Sequence, residues 1–205
     1  MTINKSLIFE KELRLIFDKQ LRDKTLAMIE SLPDYFFSIP ASSTGKYHPK
    51  YCLGEGGCVR HVKATVYFAK TLYELDSFKN INFEYCVAAL LLHDGLKSGI
   101  NGGKYSVPEH PILMHDFINE LFPNDKQMDL VSKLVLTHMG QFNTDYRTKL
   151  PIPGMPTPST GSQKFVAMCD YLASRKDLEV DLTSEYDYNN TEKLIIKRKE
   201  ETKWK

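Results

Sequence analysis

Cysteine is scarce in this chain: four in 205 residues (Cys52, Cys58, Cys86 and Cys169), with no CxxC spacing among them. Two of the four fall inside apolar helical patterns, so they read as reduced, mostly buried thiols, not as a disulfide framework or a thiolate zinc site. Charge of one sign is missing too. Twenty-seven basic residues face twenty-six acidic ones, a formal net charge of +1, so nothing global draws the chain to nucleic acid or to an anionic membrane, and any anion preference must be local. No run approaches the roughly 20 apolar residues of a membrane span, and MTINKSLIFEKEL lacks the apolar stretch of a secretory leader. The expectation is a cytoplasmic protein with no membrane partner. Strand-like alternation is rare, and there is no internal repeat.

What remains is helical periodicity over most of the chain. With 42% hydrophobic residues, the expectation is one mainly α domain, a compact helical bundle spanning 1–205. A first helix is predicted from about Ser6 to Leu32, stopped by Pro33. Further helices are predicted at about 58–77, 81–95, 108–122, 125–139 and 161–175, punctuated by Pro108, Pro123 and Gly140. Two long irregular stretches interrupt them. Residues 35–57, YFFSIPASSTGKYHPKYCLGEGG, and residues 141–160 exceed the roughly 12 to 15 residues of ordinary connections and read as functional loops. In the extension over 176–205, DLEVDLTSEYDYNN suits a short hairpin and TEKLIIKRKEETKWK a frayed helix or tail.

Helical spacing sends a potential ligand to the core from each main helix. Cys58, His61, Thr65, Phe68, Leu72 and Leu75 share one stripe. Within VAALLLHDGLKSG, Asp94 continues the stripe of Phe83, Val87 and Leu91, and His93 that of Cys86 and Leu90. His138 lines up with Val131 and Leu134, and Asp170 with Val166 and Ala173. One inward histidine is commonly a hydrogen-bonded core residue, and one inward aspartate a helix cap. Two carboxylates and three imidazoles on converging faces, with no Lys or Arg expected opposite them, are harder to bury: an unpartnered carboxylate costs several kcal/mol. A divalent cation answers that conflict, because imidazole nitrogen and carboxylate oxygen are ligands for first-row metals.

The ordered series His61, His93-Asp94, His138, Asp170 resembles the metal-binding series of the HD-domain metal-dependent phosphohydrolases, a mainly helical superfamily. LLHDGLKSG is similar to the extended form of its motif, in which the pair is followed by a glycine and a lysine, here Gly95 and Lys97. EHPILMHDFI resembles the stretch that brings a further histidine, here His110, in two-metal members. The resemblance covers residues 56–175. It implies one site built from His61, His93, Asp94 and Asp170, and a second from Asp94, His110 and His138. It also implies one or two divalent ions (Mn²⁺, Fe²⁺ or Mg²⁺) and hydrolysis by metal-activated water, with Asp94 and Lys97 as the catalytic residues. A second pair, His115-Asp116, lies with Asn119 and Glu120 on a polar face and is assigned to solvent.

Substrate contacts are expected from the loop ahead of His61 and from polar residues flanking the ligands. Ser43, Lys46 and His48 are the loop candidates, beside Ser42, Thr44 and Gly45. Lys97, Lys104, Gln141 and Arg147 are the flanking ones. The loop lacks the GxxxxGK[ST] spacing of a P-loop, and an ordered surface loop capping the next helix explains it equally well. The expected substrate is a small phosphorylated molecule, a nucleotide in mono-, tri- or cyclic phosphate form. Three alternatives stay open: an HD-type nuclease or nucleic-acid binder using the cations of 193–205, a di-iron oxygenase with the same ligands, and a non-catalytic module.

Overall fold

A computed structural model describes residues 4–42, 44–145 and 147–203. Among them are nine α-helices and no strand, and the single isolated bridge pairs Thr144 with Pro151. None of the helices is long and apolar enough to cross a membrane. In chain order they are α1 (Lys5–Ile8), α2 (Glu10–Leu13), α3 (Lys19–Ser31), α4 (Gly57–Tyr73), α5 (Phe83–Leu92), α6 (His110–Leu121), α7 (Lys126–Leu136), α8 (Gly161–Ala173) and α9 (Tyr188–Lys203).

The centre is α5. Its residues Cys86 to Leu92 are fully buried, and α3, α4, α7 and α8 pack around it. A helix apolar on all sides has to lie inside the bundle, and whatever is attached to its end is carried there too. The bundle is held by ordinary devices at the helix ends. Asp125 accepts from the backbone N–H groups of Gln127 and Met128 at the start of α7 (3.0 and 3.1 Å). Thr160 and Gln163 form a reciprocal capping box at the start of α8. Gly56 opens α4 in the left-handed region, φ +68°, and at Gly57 a Cβ would stand 2.1 Å from the Cys52 carbonyl oxygen. That contact presses the 39–56 loop onto the first turn of α4, the turn that leads to His61.

Several sequence expectations need correction. The single helix from Ser6 to Leu32 is three helices, because Asp18 caps a new start at α3 by accepting from Leu21 N–H (3.1 Å), and the intervening Leu15 and Ile16 are both buried. The helix expected to 77 ends at Tyr73, which leaves Leu75 exposed instead of on the inward stripe. The helix expected over 81–95 ends at Leu92, and consecutive turns follow. The 177–190 stretch, DLEVDLTSEYDYNN, contains no hairpin, and its last residues already belong to α9. The tail is a docked helix, α9, with Ile195 and Arg198 buried. The Arg198 guanidinium donates to the Tyr73, Glu74 and Leu75 carbonyls that end α4, and Lys199 pairs with the buried Glu84 of α5 (2.5 Å). A cleft of about 210 Å³ between the start of α5 and α9 sits at the opposite end of α5 from the His-Asp pair. As expected, all four cysteines are free and buried.

Candidate metal centre

Five chain segments deliver side chains to one buried cluster. α4 supplies His61, the turn closing α5 supplies His93 and Asp94, and α6 begins with His110. His138 lies just past α7, and Asp170 is in α8. The side chains of His61, His93, Asp94, His110 and His138 are 0–5% exposed, and that of Asp170 is 19% exposed.

The two oxygens of Asp94 face different partners. Oδ2 lies 3.7 Å from His61 Nε2 and 3.6 Å from His93 Nε2. Oδ1 lies 3.2 Å from His110 Nε2 and 3.9 Å from His138 Nε2. Asp170 Oδ1 closes the first group at 3.0 Å from His61 and 3.6 Å from His93. Three sets of donor atoms lie close enough together to hold an ion: His61-His93-Asp94, His93-His138-Asp170 and Asp94-His110-His138.

Whether a cation suits this arrangement is tested by the imidazole tautomers. Nδ1 of His93, His110 and His138 lies 2.7, 2.8 and 2.7 Å from the carbonyl oxygens of Leu90, Val107 and Val135. A carbonyl only accepts, so in each ring Nδ1 carries the hydrogen, and the neutral form of each ring aims its Nε2 lone pair into the cluster. With both rings neutral, His110 Nε2 and His138 Nε2 face each other at 3.1 Å with no hydrogen between them. Burial, with the charges of His93 and His110, pushes the His138 pKa down to about 3, so a proton is poorly held there. A metal ion resolves the opposed lone pairs, and the donor set of four imidazoles and two carboxylates suits a first-row divalent ion.

One expectation behind the metal argument fails. A buried cation does stand opposite the carboxylates: Lys97 Nζ lies 2.5 Å from Asp94 Oδ2, with its side chain 12% exposed. The turn after Leu92 brings residue 97 back over residue 94, a contact invisible to a helical-face reading that runs the helix on to 95. Burial favours the neutral forms, yet each partner overrides it for the other. Asp94 is held well below the ordinary carboxylate range by Lys97 and then by His93 and His110, and Lys97 is raised by Asp94. Lys97 offsets one carboxylate of two, so with neutral imidazoles one negative charge remains for a cation to balance.

The remaining candidates divide. His48 reaches the cluster: its ring stands edge-on to His61 at 5.3 Å, and its buried Nδ1 has no hydrogen-bond partner. Lys46 is exposed with its ammonium over Tyr47, and Lys104 sits over Tyr105. Gln141 is exposed, and Arg147 is exposed beside Asp145 at 3.9 Å. Ser43 lies outside the described residues. The second pair splits: Asp116 is exposed as expected, whereas His115 is half-buried with Nε2 3.2 Å from Asn119, which bonds on to Ser132 of α7. His115 is thus turned from solvent, with Nε2 on Asn119 and its buried Nδ1 unpartnered.

Comparison with protein-family models, curated proteins and solved structures finds no match. Fold and site therefore define a class by themselves: an all-helical protein whose buried histidine and aspartate side chains can hold a metal ion.

Proposed function

We propose that this chain is a metal-dependent phosphohydrolase of the HD type that cleaves a phosphate ester of a nucleotide. The observation that carries the reading is Asp94, whose Oδ2 faces one pair of histidines while Oδ1 faces another. A shared carboxylate is what a pair of ions held side by side requires of a protein. His61, His93, Asp94 and Asp170 would hold one ion, and Asp94, His110 and His138 the other, with Mn²⁺, Fe²⁺ or Mg²⁺ as the expected metals. Bound divalent cations supply Lewis-acid polarisation of a phosphoryl oxygen and acidify water.

The chain's own residues do the rest. The Leu90, Val107 and Val135 carbonyls lock three imidazoles in the tautomer that presents Nε2, so donors need no reorganisation when a substrate arrives. Lys97 anchors Asp94 with one N–H and keeps two more for phosphoryl oxygens. The ligand side chains other than Asp170 are almost wholly buried, and exclusion of water strengthens each interaction inside. The test is metal analysis joined to a screen of nucleoside mono- and triphosphates and cyclic nucleotides with added Mn²⁺. Bound metal with turnover of at least one class is the expected result; no turnover on any of them overturns the proposal.

A further inference from the structure

Next to two of the candidate ligands in the chain stands a pair of half-exposed aromatic rings. Phe142 comes four residues after His138, and Tyr171 directly follows Asp170. Their rings are stacked, 5.9 Å between centroids and 5° from parallel. The Arg175 guanidinium lies 4.2 Å from the Tyr171 centroid, and its Nε donates to the Tyr171 carbonyl at 3.2 Å. Phe142 is nevertheless 48% exposed and Tyr171 40%, so a large apolar area faces water at the cost of the transfer free energy that burial would have gained.

The backbone places this surface deliberately close to the metal ligands. Gly140 adopts φ +59°, and a Cβ there would meet Ala167 Cβ of α8 at 3.4 Å, so the turn after His138 is laid onto α8 and sets Phe142 against Tyr171. Asp170 is the one proposed ligand with appreciable solvent access, 19% against 0–5% for the other five. The most accessible proposed ligand is thus the immediate chain neighbour of Tyr171.

We propose that Phe142 and Tyr171, held in place by Arg175, form the stacking platform for the base of a nucleotide whose phosphate sits at the cluster. The inference rests on the nucleotide reading above and adds to it the group that recognises the base. Stacking uses the π-face that every base has, so the platform accepts all four bases and grips purines harder than pyrimidines, in proportion to ring overlap. It gives no advantage to a phosphate ester without a ring.

The test compares binding of adenosine 5′-monophosphate and ribose 5-phosphate to Mn²⁺-loaded protein by calorimetry, for wild type, Phe142→Ala and Phe142→Tyr. Both substitutions are at a half-exposed position, and an unchanged melting temperature confirms the fold. The expected result is adenosine monophosphate bound about tenfold more weakly by Phe142→Ala, or about 1.4 kcal/mol. Ribose 5-phosphate is expected unchanged, and Phe142→Tyr restored to wild-type affinity. Equal affinity of the wild type for both probes, or an undiminished affinity in Phe142→Ala, overturns the platform while leaving hydrolysis standing. Loss of base binding in Phe142→Ala without turnover of any nucleotide by the wild type overturns the hydrolase and keeps the platform. Binding of neither probe overturns both.

Discussion

Replacing Asp94 by alanine removes both oxygens of the shared carboxylate and has two separable consequences. The first needs no metal. Lys97, paired at 2.5 Å and 12% exposed, loses its counter-ion, and breaking a buried pair by deleting one partner costs about 3–5 kcal/mol. For a chain of this size each kcal/mol moves the melting temperature by about 2–4 °C, so metal-free Asp94→Ala should melt roughly 6–20 °C below metal-free wild type. The second consequence is loss of ions. The set of Asp94, His110 and His138 is left with imidazoles alone and the set around His61 and His93 with Asp170 as its one carboxylate, so metal retained after Mn²⁺ loading and desalting should fall from about two ions to below one. Thermal melts of chelated and loaded protein, beside elemental analysis, separate the two effects, because metal bound only to the folded state adds its stabilisation to the loaded curve alone. Asp116→Ala, at an exposed position, is the control and should stay within about 0.5 kcal/mol of wild type with full metal. Equal metal loss in both variants would show that the wrong histidine-aspartate pair has been placed at the centre.

His110→Ala should bring the metal content from about two ions to about one and keep the fold, with turnover reduced by orders of magnitude; full activity in this variant, with wild type carrying one ion, refutes a two-ion site. His61→Ala should lower both turnover and the melting temperature of loaded protein, since its ligand set ties α4 to the end of α5 and to α8; a melt that is unchanged in the presence of Mn²⁺ counts against a metal there. Glu12 supplies a pH test away from the cluster. It is buried with Oε2 unpartnered, and burial raises its pKa, opposed by Lys63. A raised folded pKa means stability that is present below the unfolded value near 4.3 and lost as pH rises through the folded value. Glu12→Gln should therefore raise the melting temperature at pH 7 and leave it nearly unchanged at pH 4; the reverse pattern contradicts an unpaired buried carboxylate. Lys193 and Lys197 are exposed on α9, so charge reversal of both should leave nucleotide hydrolysis intact, and a large loss together with salt-dependent retention on single-stranded RNA would favour a nuclease.

The helices from α4 to α8 were legible because their apolar stripes are long and most of their starts are marked by glycine, proline or a capping side chain. The failures share a cause: periodicity averages over a window and overlooks single residues that restart or end an element. Asp18 restarts a helix in a stretch that reads as continuous. DLEVDL alternates as a strand should, but a strand needs a partner edge, and no strand stands among the described residues to offer one. The tail scores weakly as an amphipathic helix because part of its docking is polar, through Arg198 on the last carbonyls of α4 and Lys199 on Glu84. Such contacts leave no hydrophobic pattern to read.

The centre itself divides in the same way between what spacing carries and what geometry adds. Inward faces nominate His61, His93, Asp94, His138 and Asp170, since a helical repeat states which side chains point to the core. No repeat nominates His110, the first residue of its helix, and only likeness to a known motif brings it in. What aims His93, His110 and His138 as possible metal ligands is a set of backbone carbonyls belonging to Leu90, Val107 and Val135. Each accepts from a histidine three residues later, so the same local turn is used three times to fix the same tautomer. The residue type of the acceptor does not matter, because the contact is to main chain, and that is why it leaves no trace in the sequence. The pairing of Lys97 with Asp94 belongs between these cases: the spacing is visible, but whether it makes an ion pair depends on where α5 stops. Because α5 ends at Leu92, the lysine turns inward to hold one oxygen of Asp94, and the Oδ1 side is left to His110 and His138. The point at which one helix ends thereby decides how much of the shared carboxylate is available to a metal.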